Sequence, residues 1–526
     1  MLQKNLLVPF LDVFDQTVRS FPNAPAVEFV DGCLDYQQLM ALALQVAGYL
    51  KVHATDSPYI GLFSSRSLMT YAGALGILLA GKAYVPLNPG FPSERLNVII
   101  NKAGLTTVLV GKETEKVWGI LNSHPSVSHL LFDSTAAQGL FANDNGKHLS
   151  AIETFEPLAE NRCSIQPSDP VYLLFTSGTT GQPKGIAIPH QNVNEYVAWA
   201  RSELPLTHQD RCSQIFEMSF DLSVHDLLVT LCQGACLVIP RDGDLLFPSQ
   251  YITKRRLTAW FSVPSMGSQM KQLGLLKPGA YPKLRQVLFC GEALPIAVAD
   301  AWSKASPDAR ILNLYGPTEA TIAMALYEYR GDKQWSSGVV PIGKAFPHME
   351  AEVFDTEGKV QLKPGHEGEL WLSGPQLASG YFLDPVTSKA AFVQLNGKDW
   401  YRTGDLAMRD AQGDLLFLGR IDQQIKIRGY RVEIGEIEHV LRKSSGRDVW
   451  VVVLYQTIRD EQLIAVHENF TEPLDNVKCL TDCEASLPTY MIPSAILSIP
   501  SIPRNANGKL DRKAVLELVK NHFVTE

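Results

Sequence analysis

Val171-Tyr172-Leu173-Leu174-Phe175-Thr176-Ser177-Gly178-Thr179-Thr180-Gly181-Gln182-Pro183-Lys184-Gly185 is the stretch from which the rest of the chain can be read. The apolar run Val171 to Phe175 predicts a buried strand. After it come small hydroxyl residues, glycines and one lysine, with almost no side-chain bulk. A loop of that composition can turn backbone N–H groups and hydroxyls toward an anion. Glycine lets the backbone come close, and lysine adds a point charge suited to phosphate. The spacing is not Gly-x-x-x-x-Gly-Lys-Ser/Thr, which excludes the usual P-loop. Taken alone, the stretch also reads as a plain surface loop between two elements.

Outward from the loop, bulk properties narrow the class. The chain has 526 residues, 45% hydrophobic and 19% charged, which exceeds one ordinary domain. Its formal charge is −8 and it has no basic block, which argues against a nucleic-acid partner. The apolar start is broken by Lys4, Pro9 and Asp12 and lacks the form of a signal peptide. The longest apolar run, near Leu75 to Ala80, is too short to span a bilayer, so no membrane partner is expected. Eight cysteines are scattered, with no Cys-x-x-Cys pair. Cys232/Cys236 and Cys479/Cys483 have helical spacing and read as core positions, with metal or redox use as the alternative. A reduced, cytoplasmic protein follows.

Toward the N-terminus, residues 10–50 read as helix, strand, helix, broken at Phe21-Pro22 and Asp31-Gly32. Ala72 to Ala80 predicts a helix ending at Gly81, followed by a strand at Ala83 to Leu87. Strands alternate with helices to about residue 330, which predicts an α/β fold with a parallel sheet. Frequent glycine and proline from Val339 to Asp414 suggest a smaller β-rich portion. At Gly419-Arg420-Ile421-Asp422 the texture changes. A strand pair, a helix at Glu433 to Leu441, a strand at Val449 to Tyr455 and a last helix near Asp511 follow, enough for a small α+β domain.

Several motifs carry chemistry. In Phe220-Asp221-Leu222-Ser223, Asp221 is either a helix N-cap or a carboxylate that pairs with a substrate ammonium. Leu288-Phe289-Cys290-Gly291-Glu292 ends a strand and starts a turn. In Asn313-Leu314-Tyr315-Gly316-Pro317-Thr318-Glu319, Tyr315 offers a stacking face for adenine and Thr318 a donor for phosphate. Glu319 offers an oxygen ligand for Mg²⁺, which prefers carboxylate and substrate phosphates together. A Gly-Pro turn with ordinary polar neighbours is the plainer account. Trp400-Tyr401-Arg402-Thr403-Gly404-Asp405-Leu406, Gly419 to Gly429, and Asn507-Gly508-Lys509 complete the series.

In this order the motifs resemble those of the adenylate-forming superfamily, which includes acyl-CoA synthetases, luciferases and the amino-acid adenylation domains of nonribosomal peptide synthesis. The resemblance spans Leu34 to Lys513. It implies an adenylation core over 1–421 and a small mobile domain over 422–526, hinged at Asp422. It implies ATP and Mg²⁺ as cofactors. Nucleotide contacts then fall to Thr176, Ser177, Gly178, Thr179, Thr180, Gly181, Lys184, Asn313, Tyr315, Gly316, Thr318, Asp405, Arg420 and Lys426. Glu319 falls to the metal, and Lys509 becomes the catalytic lysine that bridges carboxylate and α-phosphate.

The family's aspartate at the Asp221 position distinguishes amino acids from amine-free acids. By motif alignment the amino-acid pocket holds Asp221, Leu222, His225, Phe261, Leu288, Cys290, Gly291, Leu314, Ile322 and Ala323. That lining favours a small apolar amino acid. Leu222, Leu288, Leu314 and the aromatic Phe261 resemble the stand-alone proline–carrier protein ligases, which puts L-proline first, with Cys290 departing from that pattern. The implied acceptor is the phosphopantetheine thiol of a carrier protein supplied in trans, or free coenzyme A. D-alanine–carrier protein ligases share Cys290 and neighbouring motifs but not Phe261 and Leu314. An acyl- or aryl-CoA synthetase and a nucleotide-binding homologue without turnover are the remaining readings.

Overall fold

The computed structural model describes residues 7–133, 146–158, 164–178, 183–241, 243–331, 335, 337–355, 358, 360–422, 424–455, 461–469, 473–504 and 510–524. The chain divides into two compact units. The larger contains residues 1–89, 99–175 and 185–422, and the smaller contains 90–98, 176–184 and 423–526.

The larger unit is built on three sheets. One has nine strands, with Arg310–Tyr315, Gln286–Phe289, Ala259–Ser262, Arg211–Ser213, Cys236–Val238 and Pro25–Glu28 running parallel through its middle. Antiparallel strands close both edges. The second has eight strands, with Pro170–Thr176, Ala83–Pro86, Tyr59–Phe63, Thr107–Val110, His129–Phe132 and His148–Ala151 in parallel pairs. The third, over residues 350–420, is antiparallel and accounts for the glycine- and proline-rich texture there. The expected α/β architecture with a β-rich portion is therefore present.

Local sequence explains the boundaries. The helix expected at Ala72 begins earlier, as Leu68–Leu79, because Ser67 and Thr70 exchange capping hydrogen bonds. All its residues but the first are buried. Gly76 lies so close to the helix Tyr36–His53 that an added Cβ would meet Val46 Cβ at 2.5 Å. The N-terminal region matches its expected pattern, with helices Phe10–Ser20 and Tyr36–His53 around short strands.

In the smaller unit, Gln424–Ile427 and Tyr430–Glu433 form an antiparallel hairpin. Its two turn residues, Arg428 and Gly429, both have positive φ, +50° and +84°, as a two-residue turn of this hand demands. Helix Ile434–Ser445 ends at Gly446 in the left-handed region. A three-stranded sheet of Trp450–Tyr455, Glu461–Glu468 and Ala495–Ile499 packs with helices Asn476–Ser486 and Arg512–Val524.

None of the seven described cysteines is in a disulfide, and Cys163 lies outside the described residues. Cys232 and Cys236 are buried, but Cys236 is on a strand, so the expected helical pair does not form. Cys479 and Cys483 are buried on one helix, as core positions. Among the described residues no helix is long and apolar enough to cross a membrane.

Candidate active site

Asp221 stands at the N-cap position of a short helix, but its backbone is itself helical and its side chain makes no capping bond. The helix starts at Leu222 and widens into a π-helical turn over His225–Val229. Such widened turns occur often at functional sites, because they re-aim side chains. Asp221 is 4% exposed, and its charge acts on three buried phenols, those of Tyr84, Tyr172 and Tyr196. Burial, and then neighbouring negative charge, raises the pKa of all three.

His225 is also buried. Its Nδ1 lies 2.8 Å from the Tyr196 hydroxyl, and its ring meets Phe261 edge-on at 4.8 Å. Burial lowers its pKa to about 3, so the ring is neutral at ordinary pH. Phe261 stands beside Leu288 across the parallel strand pair, and Leu288 beside Leu312 on the next strand, which Leu314 continues. Leu222, Phe261, Leu288, Cys290, Leu314, Ile322 and Ala323 lie in one buried apolar cluster. Gly291 follows with φ +94°, a turn conformation suited to glycine. A cavity of about 20 Å³ borders His225, Phe261 and Leu288, with Ser213, Asp226 and Gln286 also on its wall.

The segment after Tyr315 folds back tightly. A Cβ on Gly316 would meet Ala323 Cα at 2.5 Å, so glycine is required there. Thr318–Ala320 form one 3₁₀ turn, and Thr321 and Ile322 follow with φ +59° and +72°. Glu319 is fully buried and accepts a hydrogen bond from the Tyr381 hydroxyl at 2.7 Å. A single buried carboxylate fits Mg²⁺, which binds through one or two carboxylates and completes its shell with substrate phosphates and water. Among the described residues no group of three or more His, Cys, Asp or Glu can hold a metal alone.

Tyr315, expected as a stacking face, uses its hydroxyl as a donor to Asp405 Oδ2. Burial and the Asp405 charge raise the Tyr315 pKa. Arg420 donates from Nη1 to Asp405 Oδ1 at 2.5 Å. It also grips Asp422 through Nε and Nη2, both at 2.7 Å. Asn313 donates to the Pro341 carbonyl at 2.8 Å, so its amide fastens the strand to the neighbouring loop.

In the smaller unit, Thr176 ends its strand and Lys184 opens the next. The Ser177 hydroxyl donates to the Arg431 carbonyl at 2.7 Å. The Gly178 N–H donates to Glu436 Oε2 at 3.2 Å, while Arg95 Nη1 donates to Glu436 Oε1 at 2.8 Å. Arg95 and Glu436 side chains are each 3% exposed. A backbone N–H of the loop thus already serves an anion. Lys426 stands opposite Arg431 in the hairpin. Thr179, Thr180, Gly181 and Lys509 lie outside the described residues.

Sequence reasoning missed Tyr196, Gln376, Tyr381, Arg95 and Glu436. Each acts through a partner far away in the chain, and none carries a local signal beyond its residue type.

Comparison with known proteins points one way. Residues 14–382 match the family model described as AMP-binding enzyme. Zwittermicin A synthase ZmaJ of Bacillus cereus is 33% identical over 97% of this chain and 95% of its own length. The adenylation domain AlmE of Vibrio cholerae, solved with glycyl-adenosine-5'-phosphate, is 28% identical with a TM-score of 0.88, covering 99% of both chains. PA1221, a nonribosomal peptide synthetase protein containing adenylation and PCP domains, is 26% identical with a TM-score of 0.79, over 97% of this chain and 84% of that one. The chain spans between 8% and 19% of the length of several large synthases that it also matches.

Proposed function

The chain belongs to the AMP-binding enzyme family, and on that premise we propose that it activates a small apolar amino acid as its adenylate and passes the acyl group to a carrier-protein thiol. The observation that carries the substrate class is Asp221. A carboxylate buried beside an apolar pocket is placed to pair with a cation, and the α-ammonium of an amino acid is one. Amine-free acids offer nothing to it, which sets the acyl- and aryl-CoA reading second.

The first step is attack of the substrate carboxylate on the α-phosphorus of ATP, with departure of pyrophosphate. Both reactants are anions, so catalysis consists of alignment and of offsetting charge. We assign the leaving phosphates to Thr176 to Lys184, and the ribose hydroxyls to Asp405, already oriented by Tyr315 and Arg420. Lys509 is assigned to the carboxylate and α-phosphate. Glu319 would hold Mg²⁺, which would supply positive charge to the phosphates. The second step is attack of a thiol on the mixed anhydride, releasing AMP and forming a thioester. Adenylation and carrier domains share one chain in PA1221, which supports a carrier protein as the thiol donor here.

Phe261, the edge-on His225 and Leu288 limit the side chain to a few carbon atoms. We place L-proline first, for its compact ring against Phe261. The likeness to AlmE favours glycine as the second reading. ATP–pyrophosphate exchange against glycine, both alanines, L-proline, L-valine, L-leucine and propionate tests this. Exchange with one small amino acid and none with propionate supports the reading. Exchange with propionate alone overturns it. ATP and free amino acids as substrates accord with a cytoplasmic enzyme.

A further inference from the structure

We infer that Gln376 is a positioning residue: its carboxamide clamps the strained turn Ala320–Ala323 and so sets the shape of the amino-acid pocket. The inference rests on the proposed function in placing Ile322 and Ala323 in that pocket. Two adjacent residues, Thr321 and Ile322, have positive φ, and both are β-branched. This conformation is rare for branched side chains and persists only where the surroundings over-determine it.

The surroundings are Gln376, through its carboxamide and its backbone carbonyl, and the Asn192 side chain. Gln376 Nε2 donates to the carbonyls of Ala320 at 3.3 Å, Thr321 at 3.1 Å and Ala323 at 2.8 Å. In return the Gln376 carbonyl accepts from the Thr321 hydroxyl at 2.7 Å and from Asn192 Nδ2 at 2.8 Å. Asn192 Nδ2 also reaches the Thr321 hydroxyl at 3.2 Å, which closes a ring of three residues. Gln376, Asn192 and Thr321 are all fully buried.

The same loop controls the metal residue. The Ala378 N–H donates to the Glu319 carbonyl at 2.8 Å, and the Tyr381 hydroxyl to the Glu319 carboxylate. Residues 376–381 thus hold both ends of segment 319–323, beside the segment's own bond from the Ala323 N–H to the Thr321 carbonyl at 2.8 Å. A carboxamide suits the task because its amino group is donor-only and can be shared among several carbonyls. Glutamate would turn an acceptor on them, and leucine would take the donor away from all three, leaving the Thr321 carbonyl its bond from the Ala323 N–H.

The test uses the full chain with Gln376→Leu and, as the milder variant, Gln376→Asn. Hydrogen exchange of peptides covering 318–326 reads the clamp directly, since the amides of Ala320, Thr321, Ala323 and Met324 are all bonded within or next to the turn. The expected result is about tenfold faster exchange there in Gln376→Leu, less in Gln376→Asn, with the rest of the chain unchanged. With the best amino acid of the panel, KM for that amino acid rises about tenfold and discrimination against L-leucine falls, while KM for ATP stays within about twofold. Unchanged protection of the turn overturns the clamp. So does a parallel rise of both KM values, which would mark general loosening. If wild type turns over no amino acid, the functional reading falls, and the exchange data still decide the clamp. If Gln376→Leu does not fold, Gln376→Asn decides by the same two readouts.

Discussion

Asp221 concentrates the chemistry of the site in one side chain. Its carboxylate is buried beside an apolar wall, where a substrate ammonium would bring a matching charge. Asp221→Asn should lower kcat/KM for the amino acid about 100-fold or more, as loss of a buried charge partner does, with KM for ATP almost unmoved. Pyrophosphate exchange with each substrate varied in turn checks this. The buried histidines make a second residue-scale prediction. Burial lowers His190 to about 4 and His225 to about 3, from an ordinary value of 6.5. Between pH 6.5 and those values the unfolded chain takes up protons that the folded chain refuses. Stability is therefore complete above about pH 6.5 and declines as pH falls toward 4. His190 alone accounts for about 3 kcal/mol at the lower end, at about 1.4 kcal/mol per pH unit. His190 stacks on Phe10 at 5.2 Å, so His190→Phe keeps a ring there and removes the titration. Urea unfolding of His190→Phe between pH 7 and 4.5 should show a shallower loss than wild type. Equal slopes would mean that His190 is not the proton sink.

At the scale of elements, Glu438 joins three pieces of the smaller unit. From helix Ile434–Ser445 it accepts the Val451 N–H at 2.9 Å, on the adjoining strand, and Arg512 Nη2 at 2.6 Å, at the start of the last helix. Arg512 also donates to the Val451 carbonyl. Glu438→Ala leaves an arginine and a backbone N–H without their carboxylate. The loss should be about 2 kcal/mol, below the value for fully buried pairs because Arg512 is 21% exposed. Calorimetry of the full chain should show the transition of the smaller unit moving down; a transition that stays put would mean water replaces the carboxylate. This pair also shows what sequence hides. The helix around Glu438 and the last helix were legible from apolar periodicity, because the pattern is local. The joint between them was not, since Glu438 and Arg512 look like ordinary surface charges. The same holds in the larger unit. The Gly-Pro-Thr-Glu run announces a special turn, whereas Gln376, which holds that turn, is one glutamine among many. Helix Leu68–Leu79 starts four residues before its run of small apolar residues for a different reason: its start is set by the Ser67–Thr70 cap, which carries no hydrophobic pattern. The π-helical turn at His225 has no known sequence signature to find.

For the whole molecule, the proposed chemistry poses a conflict that one static site does not resolve. Adenylation needs water excluded and Lys509 present, while thioester formation needs room for a long acceptor arm. We propose that the two half-reactions use different placements of the segment after Asp422, with Asp422 as the pivot. The Arg420 fork that grips Asp422 fixes the chain just before the proposed pivot, so a change in backbone torsion there is transmitted onward instead of dissipating. Two substitutions should then separate the half-reactions. Lys509→Ala should slow pyrophosphate exchange about 100-fold or more, because charge stabilisation at the reacting phosphorus is lost. It should leave thioester formation from supplied aminoacyl-adenylate within about threefold. Asp422→Pro fixes φ and should spare the half-reaction whose torsion it matches while depressing the other. Asp422→Ala is the control, because it removes the Arg420 contact without fixing the backbone. If Asp422→Pro and Asp422→Ala behave alike in both half-reactions, the residue matters as a partner of Arg420 and not as a pivot. If Lys509→Ala slows both halves equally, a single placement serves the whole reaction, and the acceptor thiol must reach the adenylate without any rearrangement.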